Sequence, residues 1–235
     1  MLSIITAFGC KYDCRGCIHW NISKVCYPTT FWQNPSWQKA LAMNVGTEPF
    51  SVSGGGDPMN AFNDNVDFWH YLEALCQVSN LEYDVHTSYD EIFKLVKKEK
   101  KVEATVRLWH PDVNMRKNDK MTIFEFEHLR KVVFHLRNQY VSIPEIGNVE
   151  TRFAYVVDDK ATIDGLERLE KEIPERCKLS YRELVPCGEV KPPKPDVDEF
   201  ARSVSERRAG AIYVEQKDYN KYLWPDGTIK TKFLS

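Results

Sequence analysis

Strand-like and helix-like periodicities alternate along most of this chain, and no other feature restricts its fold as much. The opening MLSIITAF is apolar and reads as a buried first strand. PFSVSGGG runs as a second strand into glycines and LEYDVHTS as a third. KVEATVRLW reads as a fourth, with Val102, Ala104, Val106 and Leu108 in period two. TRFAYVV and KLSYRELV supply a fifth and a sixth. Between them lie segments of helical period: a short one from Trp37 to Met43, NVDFWHYLEALCQV with Phe68, Leu72 and Leu75 on one face, and YDEIFKLVKKEK. MTIFEFEHLRKVVFHLRNQ reads as a long helix striped by Phe126, Leu129, Val133 and Leu136, and TIDGLERLEKEI as another with Ile163, Leu166, Leu169 and Ile173 buried. Six strand-then-helix steps, less the last helix, predict an α/β fold with a parallel sheet. Functional groups of such folds collect at the carboxyl ends of the strands.

The tail differs in kind. GEVKPPKPDVDE is a stiff proline-containing connector, EFARSVSERRAG reads as a helix ended by Gly210, and YLWPDGTIKTKF as a hairpin about Pro225-Asp226-Gly227. The expected division is therefore residues 1–187 as the main unit and residues 188–235 as a C-terminal helix and hairpin appendage. A chain of 235 residues is long enough for one sizeable core. Its net charge of −2 gives no general attraction to polyanions or membranes, and no stretch is long and apolar enough to span a bilayer. The apolar opening lacks a basic leader, which makes the cytoplasm the expected compartment. Seven cysteines, odd in number and irregular in spacing, then read as reduced thiols rather than a disulfide framework.

Three of those thiols, Cys10, Cys14 and Cys17, share the loop GCKYDCRGC directly after the first strand. A [4Fe–4S] cluster ordinarily takes four thiolates, whereas three leave one iron open to a non-protein ligand. Zinc would take the same three thiolates plus His19, although the step from Cys17 to His19 is tighter than the usual zinc spacing. Three unligated thiols form the remaining reading. Cys76, on the apolar side of a helix, reads as core; Cys26, Cys177 and Cys187 lack the compact spacing of a second cluster loop. Trp20, Trp32 and Trp37 read as loop packing.

The loop resembles the radical SAM superfamily, whose signature is C-x3-C-x2-C after the first strand of a partial (β/α)6 barrel. Here it stands as Cys10-Lys-Tyr-Asp-Cys14-Arg-Gly-Cys17, and the likeness in order of elements extends over residues 1–186. Many members carry an aromatic residue before the third cysteine, where this chain has Gly16; Tyr12 supplies aromatic surface nearby. Members also carry a glycine-glycine-acid motif after the second strand, matched by Gly55-Gly56-Asp57-Pro58. Without a Cβ, such a turn brings its carbonyls within reach of an ammonium group; taken alone it is a common chain reversal. The resemblance implies that it meets the methionyl amine of S-adenosylmethionine. Thr87 and Ser88 could reach ribose or carboxylate or else cap the next segment, and Arg107 could pair with the methionyl carboxylate or face solvent. Arg182 and Glu183 near the end of the sixth strand read as a structural ion pair or a substrate contact.

The resemblance implies reductive cleavage of S-adenosylmethionine at a [4Fe–4S] cluster. The electron would come from reduced flavodoxin or ferredoxin, and the resulting 5′-deoxyadenosyl radical would take a hydrogen atom from substrate. SGGGDP, HTSY and CRGC are also similar to segments of the activases of glycyl radical enzymes, of the anaerobic ribonucleotide reductase type. The longer sheet and the tail favour a modifying enzyme acting on a small metabolite, a nucleoside or a peptide. A zinc or iron–sulfur binding module without catalysis is the rival from another class. Residues 191–235 hold nine Lys and Arg against seven Asp and Glu, too balanced for a nucleic-acid-tracking surface. Tyr213, Tyr219, Tyr222 and Trp224 accordingly read as packing rather than base-stacking groups.

Overall fold

The computed structural model describes residues 1–12, 14, 17, 27–88, 92–98, 101–108, 120–136, 145–184, 190–215 and 220–231. Along the chain run β1 (Leu2–Ile5), α1 (Pro35–Asn44), β2 (Phe50–Ser53), α2 (Val66–Ser79), β3 (Tyr83–Thr87), β4 (Ile92–Lys98), β5 (Lys101–Leu108) and β6 (Lys120–Phe126). There follow β7 (Leu129–His135), β8 (Glu145–Ile146), β9 (Glu150–Val157), α3 (Ile163–Glu172), β10 (Lys178–Glu183), α4 (Pro195–Arg202), α5 (Val204–Arg207), β11 (Ile212–Val214), β12 (Lys221–Leu223) and β13 (Ile229–Lys230).

The fold is α/β around a nine-stranded sheet of order β11-β10-β9-β7-β3-β2-β1-β12-β13. Every neighbouring pair in it is parallel except the β12–β13 hairpin. The edge strands β11 and β13 do not pair with each other, so the sheet is open. At its centre, β1, β2, β3, β7, β9 and β10 lie side by side in chain order. That is the parallel series expected, but with one member exchanged. The fourth strand is Leu129–His135, a stretch that reads as helix in sequence, and KVEATVRLW instead enters a separate four-stranded sheet of order β6-β5-β4-β8.

Two helices predicted from sequence are thus strands, for identifiable reasons. In β4 the register against β5 shifts between Ile92 and Lys94, so the buried Ile92 and Leu95 stand three apart and imitate a helical period. In the longer segment, Phe124 and Phe126 alternate with exposed residues in β6, then the chain passes into the main sheet at Glu127–His128. There Val132, Val133 and Phe134 are buried in succession, as a parallel strand with both faces covered allows. Splicing these two patterns produced the helical stripe. Glu73 of α2 pins the passage: its carboxylate accepts from the backbone N–H groups of Glu127 at 2.9 Å and His128 at 3.1 Å, and from Tyr83 Oη.

The β3-to-β7 crossover is therefore made by a small sheet where a helix is usual. It is anchored by aromatic packing onto α2 and the short 3-10 turn Phe62–Asn65 before it, with Phe62 against Phe124 at 5.2 Å and Trp69 against Phe126 at 5.7 Å between ring centroids. Trp69 also stacks on Tyr83 of the main sheet at 6.3 Å, so α2 is packed between the two sheets. Each fully buried side chain of this kind contributes roughly 1.5–3 kcal/mol. Trp32 and Trp37 pack on Tyr71 in the same way, whereas Trp20 lies outside the described residues.

The tail is hydrogen-bonded into the sheet. β11 pairs with β10 and β12 with β1, and the expected hairpin forms about Gly227. Val197, Ala201 and Val204 of α4 and α5 join the common core, and Arg208 Nη2 donates to the carbonyls of Pro174 at 2.8 Å and Ile173 at 3.1 Å beyond α3. Tyr213 Oη donates to Asp198 at 2.9 Å and Trp224 is buried, while Tyr219 lies outside the described residues. Among the described residues no helix is long and apolar enough to cross a membrane.

Candidate functional site

Cys10, Cys14 and Cys17 follow β1 at the carboxyl edge of the parallel series, with Cys14 buried and the other two half-buried. Cys17 N–H donates to the Cys14 carbonyl at 3.1 Å. The base of the loop is held by the glycine turn after β2. Gly9 and Gly56 form a parallel bridge, Asp57 N–H donates to Gly9 O at 2.8 Å, and Asn60 Nδ2 donates to Phe8 O.

The glycines permit this approach directly. A Cβ on Gly55 would lie 1.7 Å from Thr6 O, and one on Gly56 would lie 2.1 Å from Gly9 O, with both residues at positive φ. In the structure, then, the backbone that comes close to Gly55 and Gly56 is that of the first strand's end. The motif read from sequence as a cofactor cradle also clamps the cysteine loop.

Asp57 completes the clamp. Its buried carboxylate accepts from Thr87 Oγ1 at 2.6 Å, Ser88 N–H at 2.6 Å and Met59 N–H at 2.9 Å. Thr87 and Ser88 thus join Asp57 across the ends of β2 and β3. Burial pushes the Asp57 carboxyl up to about 6, opposed by those three hydrogen bonds and by the charge of Lys11. With the folded value above the ordinary 3.8, the group's stabilising contribution is complete below about pH 4 and is lost as pH rises through about 6. The stability of the native chain minus that of Asp57→Asn should therefore fall by about 3 kcal/mol in all from well below pH 4 to well above pH 6. Urea unfolding across the pH range measures it, and a difference that stays flat contradicts the raised carboxyl.

Tyr12 is half-buried against the core, with Lys11 Nζ 5.3 Å from its ring centre. Arg107 lies in β5, in register with Met121 of β6, and so belongs to the four-stranded sheet and not to the fourth parallel strand expected for it. His19, Gly16, Cys26 and Cys187 lie outside the described residues. Cys76 and Cys177 are buried, and burial together with the Glu73 charge pushes the Cys76 thiol up to about 12, the state of an inert core thiol. Among the described residues, no three His, Cys, Asp or Glu side chains converge where a single ion would sit.

Sequence reasoning missed the residues beyond the clamp. Ser88 Oγ donates to the carbonyl of His135 at 2.9 Å, and the His135 ring meets His86 of β3, Nε2 to Nδ1, at 3.0 Å. Ser88 thus ties Asp57 of the glycine turn to the backbone of His135, whose ring pairs with His86 on the sheet face opposite the apolar core. The polar alternation Asp84-His86-Ser88 was a legible signal for half of this arrangement; His135 was hidden in the segment read as helix.

Searches against protein-family models and against the curated proteins give no match to this chain.

Proposed function

We propose that this chain is a radical SAM enzyme acting on a small metabolite, a nucleoside or a peptide. The observation that carries the reading is the Gly9–Gly56 bridge. It seats a loop bearing three thiols at the carboxyl end of the first strand, against the glycine turn of the second, in a series of parallel strands running in chain order. That series is the arrangement a partial (β/α)6 barrel requires.

The donor set fits the group. Cys10, Cys14 and Cys17 would hold a [4Fe–4S] cluster with one iron left for S-adenosylmethionine, which together supply a 5′-deoxyadenosyl radical for hydrogen abstraction. The chain's own work is placement. Asp57, Thr87 and Ser88 fix the spacing of the first three strand ends, Asn60 and Gly56 fix the loop base, and the backbone of Gly54–Gly56 would border the methionyl group of a bound S-adenosylmethionine. The final spacing of the three sulfurs is set when metal binds, as is general for sites whose donors come from one loop. Reduced flavodoxin or ferredoxin is the electron donor that fits such a centre.

Anaerobic reconstitution should give about four irons per chain, and dithionite with S-adenosylmethionine should then release 5′-deoxyadenosine. A colourless protein with one tight zinc and no cleavage product would overturn the reading in favour of a structural metal module. A glycyl radical signal raised on a partner reductase would move the chain to the activases.

A further inference from the structure

The sheet face opposite the core carries charge in an ordered pattern. Ser51, Asp84, Lys131 and Glu150 lie in register on one row. The next row toward the carboxyl edge holds His86, Val133, Arg152 and Lys178; His135, Ala154 and Ser180 form a third, and Val156 and Arg182 a fourth. The alternate residues of these strands, Val85, Val132, Phe153 and Leu179 among them, belong to the apolar core. A parallel sheet covered by helices needs no such polar face.

On the first row the charges are matched. Asp84 is fully buried and accepts from Arg130 Nε at 2.9 Å and Nη2 at 2.7 Å, with Lys131 Nζ at 3.0 Å; Lys178 Nζ meets Glu150 at 2.8 Å. Arg152 differs, because its Nε is buried with no hydrogen-bond acceptor. A buried donor left in that state is unfavourable and calls for an acceptor from outside. Between Arg152 and Arg182 the intervening row carries only the small, buried Ala154 and Ser180 beside His135. The wall on the β3 side is the His86–His135 pair, in which one ring must donate to the other. Burial pushes His86 down to about 3, helped by Arg182 and opposed by Asp84, so this ring is neutral and offers a dipole without adding charge.

We propose that this face is a binding site for an oxyanion of the substrate, a carboxylate or a phosphate, gripped by Arg152 and Arg182 beside the histidine pair. Guanidinium forks suit both anions through paired N–H donors. The word substrate rests on the radical SAM reading; the anion site does not.

The test uses the chain without added metal, with isotope-labelled histidine, titrated with inorganic phosphate and in parallel with acetate. The His86 and His135 ring resonances should shift saturably with at least one of the two, and the tighter anion assigns phosphate or carboxylate. Arg152→Gln should weaken that binding roughly tenfold or more, the loss expected for a charged hydrogen bond. Arg152→Lys should fall between, and Arg168→Gln, on the exposed side of α3, should bind as the native chain does. No saturable shift with either anion, or a folded Arg152→Gln chain with undiminished affinity, would overturn the proposal. So would competition between phosphate and S-adenosylmethionine, which would give the arginines to the cofactor. Should Arg152→Gln fail to fold, the native and Arg152→Lys titrations decide. Anion binding that persists in a chain unable to release 5′-deoxyadenosine would sink the radical reading alone.

Discussion

Cys14→Ala should abolish iron–sulfur loading while leaving the sheet folded. Cys14 is buried, yet it lies in the loop and outside the apolar cluster that α1, α2 and the sheet share. The bonds that hold the loop's base, from Asp57 N–H to Gly9 O and from Asn60 to Phe8 O, do not pass through it. Removing its thiol should therefore cost only about 1 kcal/mol of stability, while one of the three proposed cluster ligands is lost outright. Iron after anaerobic reconstitution should drop from about four per chain to near background, and 5′-deoxyadenosine release should become undetectable. Cys76→Ala is the matching control. Its thiol sits in the core of α2, so this variant should load iron normally and lose about 1–2 kcal/mol through packing. Normal cleavage by Cys14→Ala would remove Cys14 from the ligand set.

Gly56→Ala should strongly destabilise the chain through its clamp. The residue sits at φ +119°, and the new Cβ would lie 2.1 Å from Gly9 O and 2.8 Å from Gly9 Cα, so backbone must move. Left-handed strain and a backbone clash together should cost roughly 3–5 kcal/mol. Because the displaced partner is the base of the cysteine loop, whatever protein remains folded should also bind iron poorly. Gly46→Ala is the contrast: nothing lies within 4 Å of its added Cβ, and stability should change by less than about 1 kcal/mol. Urea midpoints of the two variants measure the difference. A Gly56→Ala chain as stable as Gly46→Ala would mean that the bridge to Gly9 is not a constraint.

The parts of the fold legible in sequence were those where one period ran unbroken. Val66–Ser79 and Ile163–Glu172 carry clean helical stripes, and β1, β2, β3, β9 and β10 are short apolar runs ended by turns or glycines. Periodicity misled where an extra residue or a change of sheet interrupted it, at the bulge after Ile92 and at the Glu127–His128 passage. Losing β7 to a supposed helix displaced the fourth strand onto Lys101–Leu108 and carried Arg107 with it.

In the site, the cysteine spacing and the glycine turn were visible, and so were Thr87 and Ser88, because each is a local pattern. What they do to one another was not visible. Asp57 reaching Thr87 and Ser88, and Gly56 meeting Gly9, are contacts between strands far apart in sequence, fixed only once the parallel register is known. The polar face was not visible either, because Asp84, His86, Arg152 and Arg182 become one surface only when their rows are aligned.

Electron paramagnetic resonance of the reduced, reconstituted chain tests most directly the proposal that an iron of a cluster held by Cys10, Cys14 and Cys17 is open to an outside ligand. Adding S-adenosylmethionine labelled at its amine nitrogen and carboxylate oxygen should change the g-values and introduce hyperfine coupling from both labels. An unchanged spectrum, or coupling to a fourth protein side chain at that iron with the cofactor present, would contradict it.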